Sequence, residues 1–171
     1  MLSGELVWVE DGDADVRENP VPRRLLLVGS SGGHLAQLLA LKPWWEHWQR
    51  LWVTFGTPDA HSRLRDEQVV WAHFPTTRNL PNLLRNVLLA VRVLWRDRPD
   101  LVVSTGAGVA FPFFLVARVL GIRTVYLEVY DRLDTRTLTG RLCRPLSSLF
   151  CVQWEEQANL YKGSHVVGTL L

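Results

Sequence analysis

A chain of 171 residues, 47% hydrophobic and 21% charged, has the length for one ordinary domain with a packed core, and that balance excludes a disordered protein. The formal net charge of +2 joins two unlike parts: residues 1–22 hold six acids and one base, whereas the remainder carries 18 bases against 11 acids. A basic body suits phosphates, nucleic acid or an acidic lipid surface, and equally a plain solvated exterior. The two cysteines, Cys143 and Cys151, lack metal-ligand spacing, so no metal site is expected and reduced cytoplasmic thiols are the default. The first twenty residues are acidic and without an apolar core, so no secretory signal is expected. The longest apolar run, residues 109–117, is too short for a bilayer span of roughly 20 residues.

In chain order, residues 1–22 read as an acidic tail, with a small edge strand over 5–10 as the alternative to a flexible extension. From Arg23 the pattern alternates. Strands are expected over 25–29, 51–55, 69–74, 101–104, 124–127, 149–152 and 166–167. Helices are expected over 35–48 (with Pro43 as a possible break), 80–97, 109–120, 139–145 and 155–161. Strands alternating with helices predict an α/β fold, a Rossmann-like parallel sheet with helices on both faces.

Ligands of such sheets bind beyond the carboxyl ends of the strands. Three loops collect there: Ser30–His34, Ser104–Gly108, and the turn that begins at Glu128 and runs through Tyr130, Asp131 and Arg132. The first, Gly29-Ser30-Ser31-Gly32-Gly33-His34, leads a strand directly into a helix, whose unpaired N–H groups and partial positive charge favour a phosphate. Ser31 breaks the dinucleotide fingerprint, and no Gly-Lys pair completes a P-loop. The letters also satisfy G-x-S-x-G, with Asp131 and His165 following in hydrolase order. His34 either packs the first helical turn or meets the ligand as base or donor. Glu128 is either a paired strand end or a functional carboxylate.

Helix 80–97 carries Arg85, Arg92 and Arg96 on one face and a wide apolar side of Leu84, Val87, Leu88, Val91 and Leu94. It is either a covering helix with a charged solvent face or an interfacial helix on anionic lipid. In the second case Trp44, Trp45, Trp48 and Trp52, or Phe111, Phe113 and Phe114, are the aromatics available for insertion.

Four segments in register carry a family resemblance: residues 29–35 (GSSGGHL), 104–109 (STGAGV), 137–141 (TLTGR) and 152–156 (VQWEE). Together they resemble the bacterial PssD/CpsF-type polysaccharide glycosyltransferase subunit. That subunit is similar to the membrane-recruiting subunit of the two-part eukaryotic enzyme that adds the second GlcNAc to dolichol diphosphate. The resemblance covers residues 23–171. It implies a single half of a GT-B glycosyltransferase, matching the acceptor-binding domain of MurG-type enzymes, with the donor half on a separate polypeptide. That expectation accords with a chain ending at Leu171.

By position, the resemblance implies that Ser31, Gly32 and Gly33, with Thr105, Gly106 and Gly108 from the second loop, face the acceptor diphosphate. It places His34 and Glu128 as candidates for the base that deprotonates the attacking hydroxyl. Arg85, Arg92 and Arg96 are the membrane-contact candidates. The partners implied are a donor-binding subunit holding a UDP-sugar, UDP-GlcNAc or a related UDP-hexose, together with a lipid-diphosphate-linked saccharide and the inner membrane surface. No cofactor and no nucleic acid are expected. Little turnover is expected of the chain alone, and a non-catalytic recruiter of the partner is the other reading. The eukaryotic relatives carry an N-terminal membrane helix where this chain has its acidic tail.

Overall fold

The computed structural model describes residues 24–130 and 134–170. The acidic tail with its alternative strand, together with Asp131 and Arg132, lies outside the described residues.

The centre of the molecule is one seven-stranded sheet. Its strands are β1 (Arg24–Val28), β2 (Gln49–Phe55), β3 (Val69–Ala72), β4 (Leu101–Ser104), β5 (Arg123–Leu127), β6 (Leu149–Val152) and β7 (His165–Val166). All pairings are parallel, in the order β3-β2-β1-β4-β5-β6-β7. A parallel sheet is covered on both faces, which is why β1 and β4 are almost continuously apolar and buried. The order reverses between β1 and β4. A crevice opens at such a switch point, and the loops that flank it are the two glycine-rich segments.

One face carries α1 (Gly33–Ala40), α2 (Lys42–Trp45) and α3 (Pro58–Arg63), packed through Leu35, Leu38, Trp45, Ala60 and Leu64 onto Leu25, Leu27 and Trp52. The other carries α4 (Leu80–Asp97), α5 (Ala110–Val119) and α6 (Leu138–Cys143) over Leu26, Val28 and Val102. The last helix is α7 (Glu155–Leu160). An aromatic row crosses the second core: Phe114 meets Tyr126 edge-on at 5.9 Å, Tyr126 stacks on Phe150 at 4.8 Å, and Phe150 meets Tyr161 at 4.7 Å. Each such pair adds about 0.5–1.5 kcal/mol beyond its buried area.

The expected helix over 35–48 is two helices, interrupted at Leu41. Pro43 sits in the first turn of α2, where its missing N–H costs nothing. Strand β3 stops at Ala72, two residues earlier than expected, and Asn86 of α4 takes up the next residue by bonding both His73 N–H and His73 C=O at 2.9 Å. The short helix before β6 ends at Cys143 and continues as a 3₁₀ turn, Arg144–Leu146. The sequence reading missed α3, whose cues are Thr57 at the N-cap and Pro58 at its start.

In its first half helix α4 turns polar Asn82 and Asn86 to the protein, in its second half apolar Ala90, Val93 and Leu94, and its outer side carries exposed leucines. Buried Asn82 and Asn86 pin the preceding segment, with Asn82 donating to the Pro75 carbonyl at 3.0 Å. Leu80, Leu84, Leu88 and Trp95, spaced along the outer side, are 71%, 65%, 71% and 64% exposed. Of the apolar side expected from sequence, Leu94 belongs to the core and Val87 packs against it. The aromatics offered for insertion are not available: Trp45, Trp52, Phe113 and Phe114 are buried core, and Trp44, Trp48 and Phe111 are half-buried against it. No described helix is long and apolar enough to cross a membrane.

Candidate functional site

The crevice at the switch point is a cleft of about 280 Å³, lined by Gly33, His34, Gln37, Tyr126, Glu128 and Thr137 among others. Its first wall is the start of α1. Gly32 is the N-cap with φ 74°, a conformation that disfavours side chains, and no side chain caps the helix. A methyl group at Gly32 or Gly33 would meet nothing within 4 Å. With no side-chain cap on the helix, the backbone at Gly33 is exposed to the cleft that Gly33 lines. The Gly32 amide points at the Asp59 carboxylate of α3, 3.4 Å away, and Thr57 holds that carboxylate at 2.6 Å. The Thr57 hydroxyl is the main cause holding the Asp59 carboxyl below its usual range.

His34 is half-buried, and the second glycine loop fixes its ring. Nδ1–H donates to the Thr105 carbonyl at 2.8 Å, while the Thr105 hydroxyl donates to the His34 carbonyl at 2.9 Å. A carbonyl only accepts, so the proton of the neutral ring is on Nδ1 and the basic lone pair is on Nε2. Thr105 is wholly buried, and both of its polar groups are engaged with His34, so its geometry is that of a residue that positions the histidine.

Gly106, at φ 108°, leaves room for its neighbours. A methyl there would sit 2.7 Å from the Tyr126 hydroxyl and 3.3 Å from His34 Cε1. One at Gly108 would press on Thr76 at 2.8 Å. Neither glycine lines the cleft, whereas Ala107 between them does, in a left-handed conformation of φ 65°.

The opposite wall is Glu128, fully buried at the end of β5. Its carboxylate accepts from the Tyr161 hydroxyl at 2.5 Å, from the Thr137 hydroxyl at 3.0 Å and from the Val129 amide at 3.1 Å. Thr137 is also the N-cap of α6, accepting from Gly140 N–H at 2.9 Å. Burial first, then the bond to Glu128, pushes the Tyr161 phenol up to about 12; burial, then the Glu128 charge, drives Tyr126 well above its ordinary value. Both phenols therefore stay protonated donors. Behind the wall, Gln153 Nε2 donates to Gln37 Oε1 at 2.7 Å and to the Glu128 carbonyl at 3.0 Å, tying α1 to β5.

Of the site residues read from sequence, His34, Gly33 and Glu128 meet in one cleft. Ser31 and Gly32 stand beside it in the same loop, while Thr105, Gly106 and Gly108 support it from behind. Arg85, Arg92 and Arg96 are elsewhere, exposed along α4. The residues missed were Gln37, Tyr126, Thr137, Gly140 and Tyr161. Thr137 and Gly140 stood inside a recognised segment without a role assigned, and Tyr161 carried no sequence signal.

No serine hydrolase centre forms among the described residues. Ser31 follows β1 and His165 lies on β7, four strands away, or about 19 Å at the usual strand spacing.

Among proteins of known kind, the family described as "Oligosaccharide biosynthesis protein Alg14 like" matches residues 72–170. The UDP-N-acetylglucosamine transferase subunit ALG14 of Rattus norvegicus is 28% identical over 193 residues, covering 92% of this chain and 89% of the rat protein. The human subunit is 30% identical over 115 residues, covering 64% of this chain and 51% of that protein. A UDP-N-acetylglucosamine–N-acetylmuramyl-(pentapeptide) pyrophosphoryl-undecaprenol N-acetylglucosamine transferase of Synechococcus sp. (strain JA-3-3Ab) is 31% identical over 172 residues, covering 92% of this chain but 46% of the transferase. The chain thus spans about half the length of the human and cyanobacterial relatives. In fold it superposes on the crystal structure of Acinetobacter baumannii MurG with a TM-score of 0.71 at 20% identity, over 86% of this chain and 45% of that one. The protein is a member of the Alg14-like family, with the Rossmann-like architecture of one half of a GT-B glycosyltransferase.

Proposed function

We propose that this chain is the acceptor-side subunit of a two-component glycosyltransferase. It binds a polyprenyl-diphosphate-linked saccharide at the inner face of the plasma membrane. A donor-binding partner holds the UDP-sugar, UDP-GlcNAc or a close relative, in exopolysaccharide, capsule or lipid-linked oligosaccharide synthesis of the PssD/CpsF type. The observation that carries this reading is the uncapped start of α1, which opens Gly33 and His34 into the cleft at the switch point. The family supplies the reaction class.

In this reading the diphosphate meets the Gly33 amide and takes the Gly32 amide over from the Asp59 carboxylate, with Ser31 beside them. Thr105 holds the histidine in place, and Gly106 leaves room for its ring. The terminal sugar hydroxyl attacks C1 of the UDP-sugar with inversion, and His34 Nε2 takes its proton. Nδ1–H, anchored on the Thr105 carbonyl, keeps Nε2 the basic nitrogen. Glu128 is the weaker base, because its carboxylate already accepts from three donors; its part is to shape the acceptor wall. Much of the rate comes from aligning two bound substrates.

The outer stripe of α4, Leu80 to Trp95, meets lipid, with Arg85, Arg92 and Arg96 along its flank. Three arginines near an anionic surface supply only about 1 kcal/mol each, so the exposed leucines carry the rest. Replacing Leu84 and Leu88 together by glutamate should release the complex from anionic vesicles while leaving its melting temperature unchanged; unaltered partitioning would remove α4 from the membrane contact.

A second reading, a recruiter without a catalytic group, draws on the engaged state of Glu128. The two are separated by sugar transfer from UDP-GlcNAc to a short-chain polyprenyl-diphosphate sugar, with the chain reconstituted with its donor-binding partner. As subunit with base, His34→Ala lowers the rate at saturating acceptor by about 100-fold or more. As recruiter, it leaves that rate intact. The chain alone should turn over little in either case, and brisk transfer without a partner would sink both.

A further inference from the structure

Outside the cleft, three arginines surround a second depression of about 440 Å³, lined by Arg136, Arg141, Arg144, Pro145 and Tyr161. Arg141 on α6 and Arg144 three residues later share one helical face, and Arg136 arrives from the segment before the Thr137 cap. The other close arginine contacts differ in kind. Arg50 is held by Glu67 at 2.6 Å and Arg96 by Asp97 at 3.1 Å. Among the described residues none of the three guanidinium groups here has a hydrogen bond or a carboxylate partner, and no acid lines the depression. Arg136 Cζ lies 5.8 Å from the centre of the Tyr161 ring.

Three like charges converging on one hollow repel unless an anion joins them. The planar guanidinium fork matches phosphate oxygens two at a time, which an ammonium does not. The depression is shallow and open, but three guanidinium groups on its rim suit a compact oxyanion that offers several oxygens at once.

We propose that Arg136, Arg141 and Arg144 form a binding site for a phosphate-bearing anion, separate from the cleft at the switch point. Tyr161 is the wall between the two. Its ring lines the arginine pocket, and its hydroxyl donates to Glu128 in the wall of the cleft. The anion is a free phosphate or diphosphate, or the phosphomonoester head of a lipid. The site does not depend on the acceptor reading and survives its failure.

The test uses the full chain carrying Gly33→Ala, so that the cleft contributes least, titrated calorimetrically with inorganic pyrophosphate. The same protein is floated with phosphatidylcholine vesicles containing phosphatidic acid, or phosphatidylglycerol at matched charge. Saturable pyrophosphate binding should weaken at least tenfold on adding Arg141→Gln and Arg144→Gln together, and should be unchanged by Arg65→Gln, an exposed arginine elsewhere. Arg136→Gln, a single exposed substitution, should give a smaller loss in the same direction, which keeps the test decisive if the double variant folds poorly. A preference for phosphatidic acid that disappears with the arginines assigns the site to a lipid head. Pyrophosphate binding without that preference assigns it to a soluble anion. Equal pyrophosphate affinity with and without the arginines, or no binding of either probe, overturns the proposal.

Discussion

The two glycine-rich loops at the switch point look alike in sequence and differ in what their glycines are for. Around Gly32 and Gly33 there is open space: a methyl group would touch nothing, and the backbone faces the cleft. Around Gly106 and Gly108 space is already taken, by Tyr126, His34 and Thr76. The first loop is smooth so that something else can approach. The second is smooth so that the protein can close on itself and hold His34 through Thr105. One pattern of letters thus covers a loop open to the cleft and a loop closed on the protein, and the distinction is one of neighbours.

The sharpest way to break this contrast is to add a methyl on each side. On the scaffold side, Gly140→Ala meets Glu128, Tyr161 and Thr137 at once, and Gly106→Ala combines a left-handed backbone with the Tyr126 hydroxyl. Each should cost about 3 kcal/mol or more, or prevent folding, as read by chemical denaturation. An unperturbed Gly140→Ala melt would show the Glu128 wall to be slack.

Next in size is Tyr161→Phe, which leaves Glu128 short of a donor and should cost about 1.5–3 kcal/mol. Burial of the same phenol, with its bond to Glu128, sets an alkaline limit. An unfolded tyrosine ionises near 10, whereas the folded phenol holds its proton to about 12, so between these values the unfolded state has released a proton that the folded state keeps. The stabilisation is complete below pH 10 and lost as pH rises toward 12. The phenylalanine variant should lose stability less steeply across that window, and parallel curves for both proteins would place the alkaline limit elsewhere.

The smallest effect on stability is expected at the loop open to the cleft. Gly33→Ala sits in the first turn of α1 at ordinary φ, and should leave stability unchanged or raise it by up to about 1 kcal/mol. A loss of several kcal/mol there would mean that the first loop is scaffold as well.

Much of the architecture was legible because period and punctuation agree with it. The 80–97 helix and the 101–104 strand fall where apolar spacing places them, and the alternation of strands and helices is enough to demand a parallel sheet. The two glycine loops could be assigned to the carboxyl edge of the sheet because they follow β1 and β4. What spacing cannot convey is which apolar residue finds a partner. Leu84 and Leu94 read alike in the sequence, yet one faces outward and the other is core, because Asn82 and Asn86 take the inner side of α4. Trp45 and Trp52 read equally as membrane or as core aromatics, and they fill the core, edge to face at 5.5 Å. Tyr161 was unreadable for another reason: its partner Glu128 is 33 positions away, and only the sheet brings them together.

The central claim is that the open amides at the start of α1 hold the acceptor's diphosphate. Its most direct test is equilibrium binding of a short-chain polyprenyl-diphosphate-linked GlcNAc to the wild-type chain and to Gly33→Ala, with no UDP-sugar present. The account predicts saturable binding by the wild type and at least a tenfold weaker affinity in a variant that melts at the same temperature or higher. Equal affinity in the two proteins would contradict it.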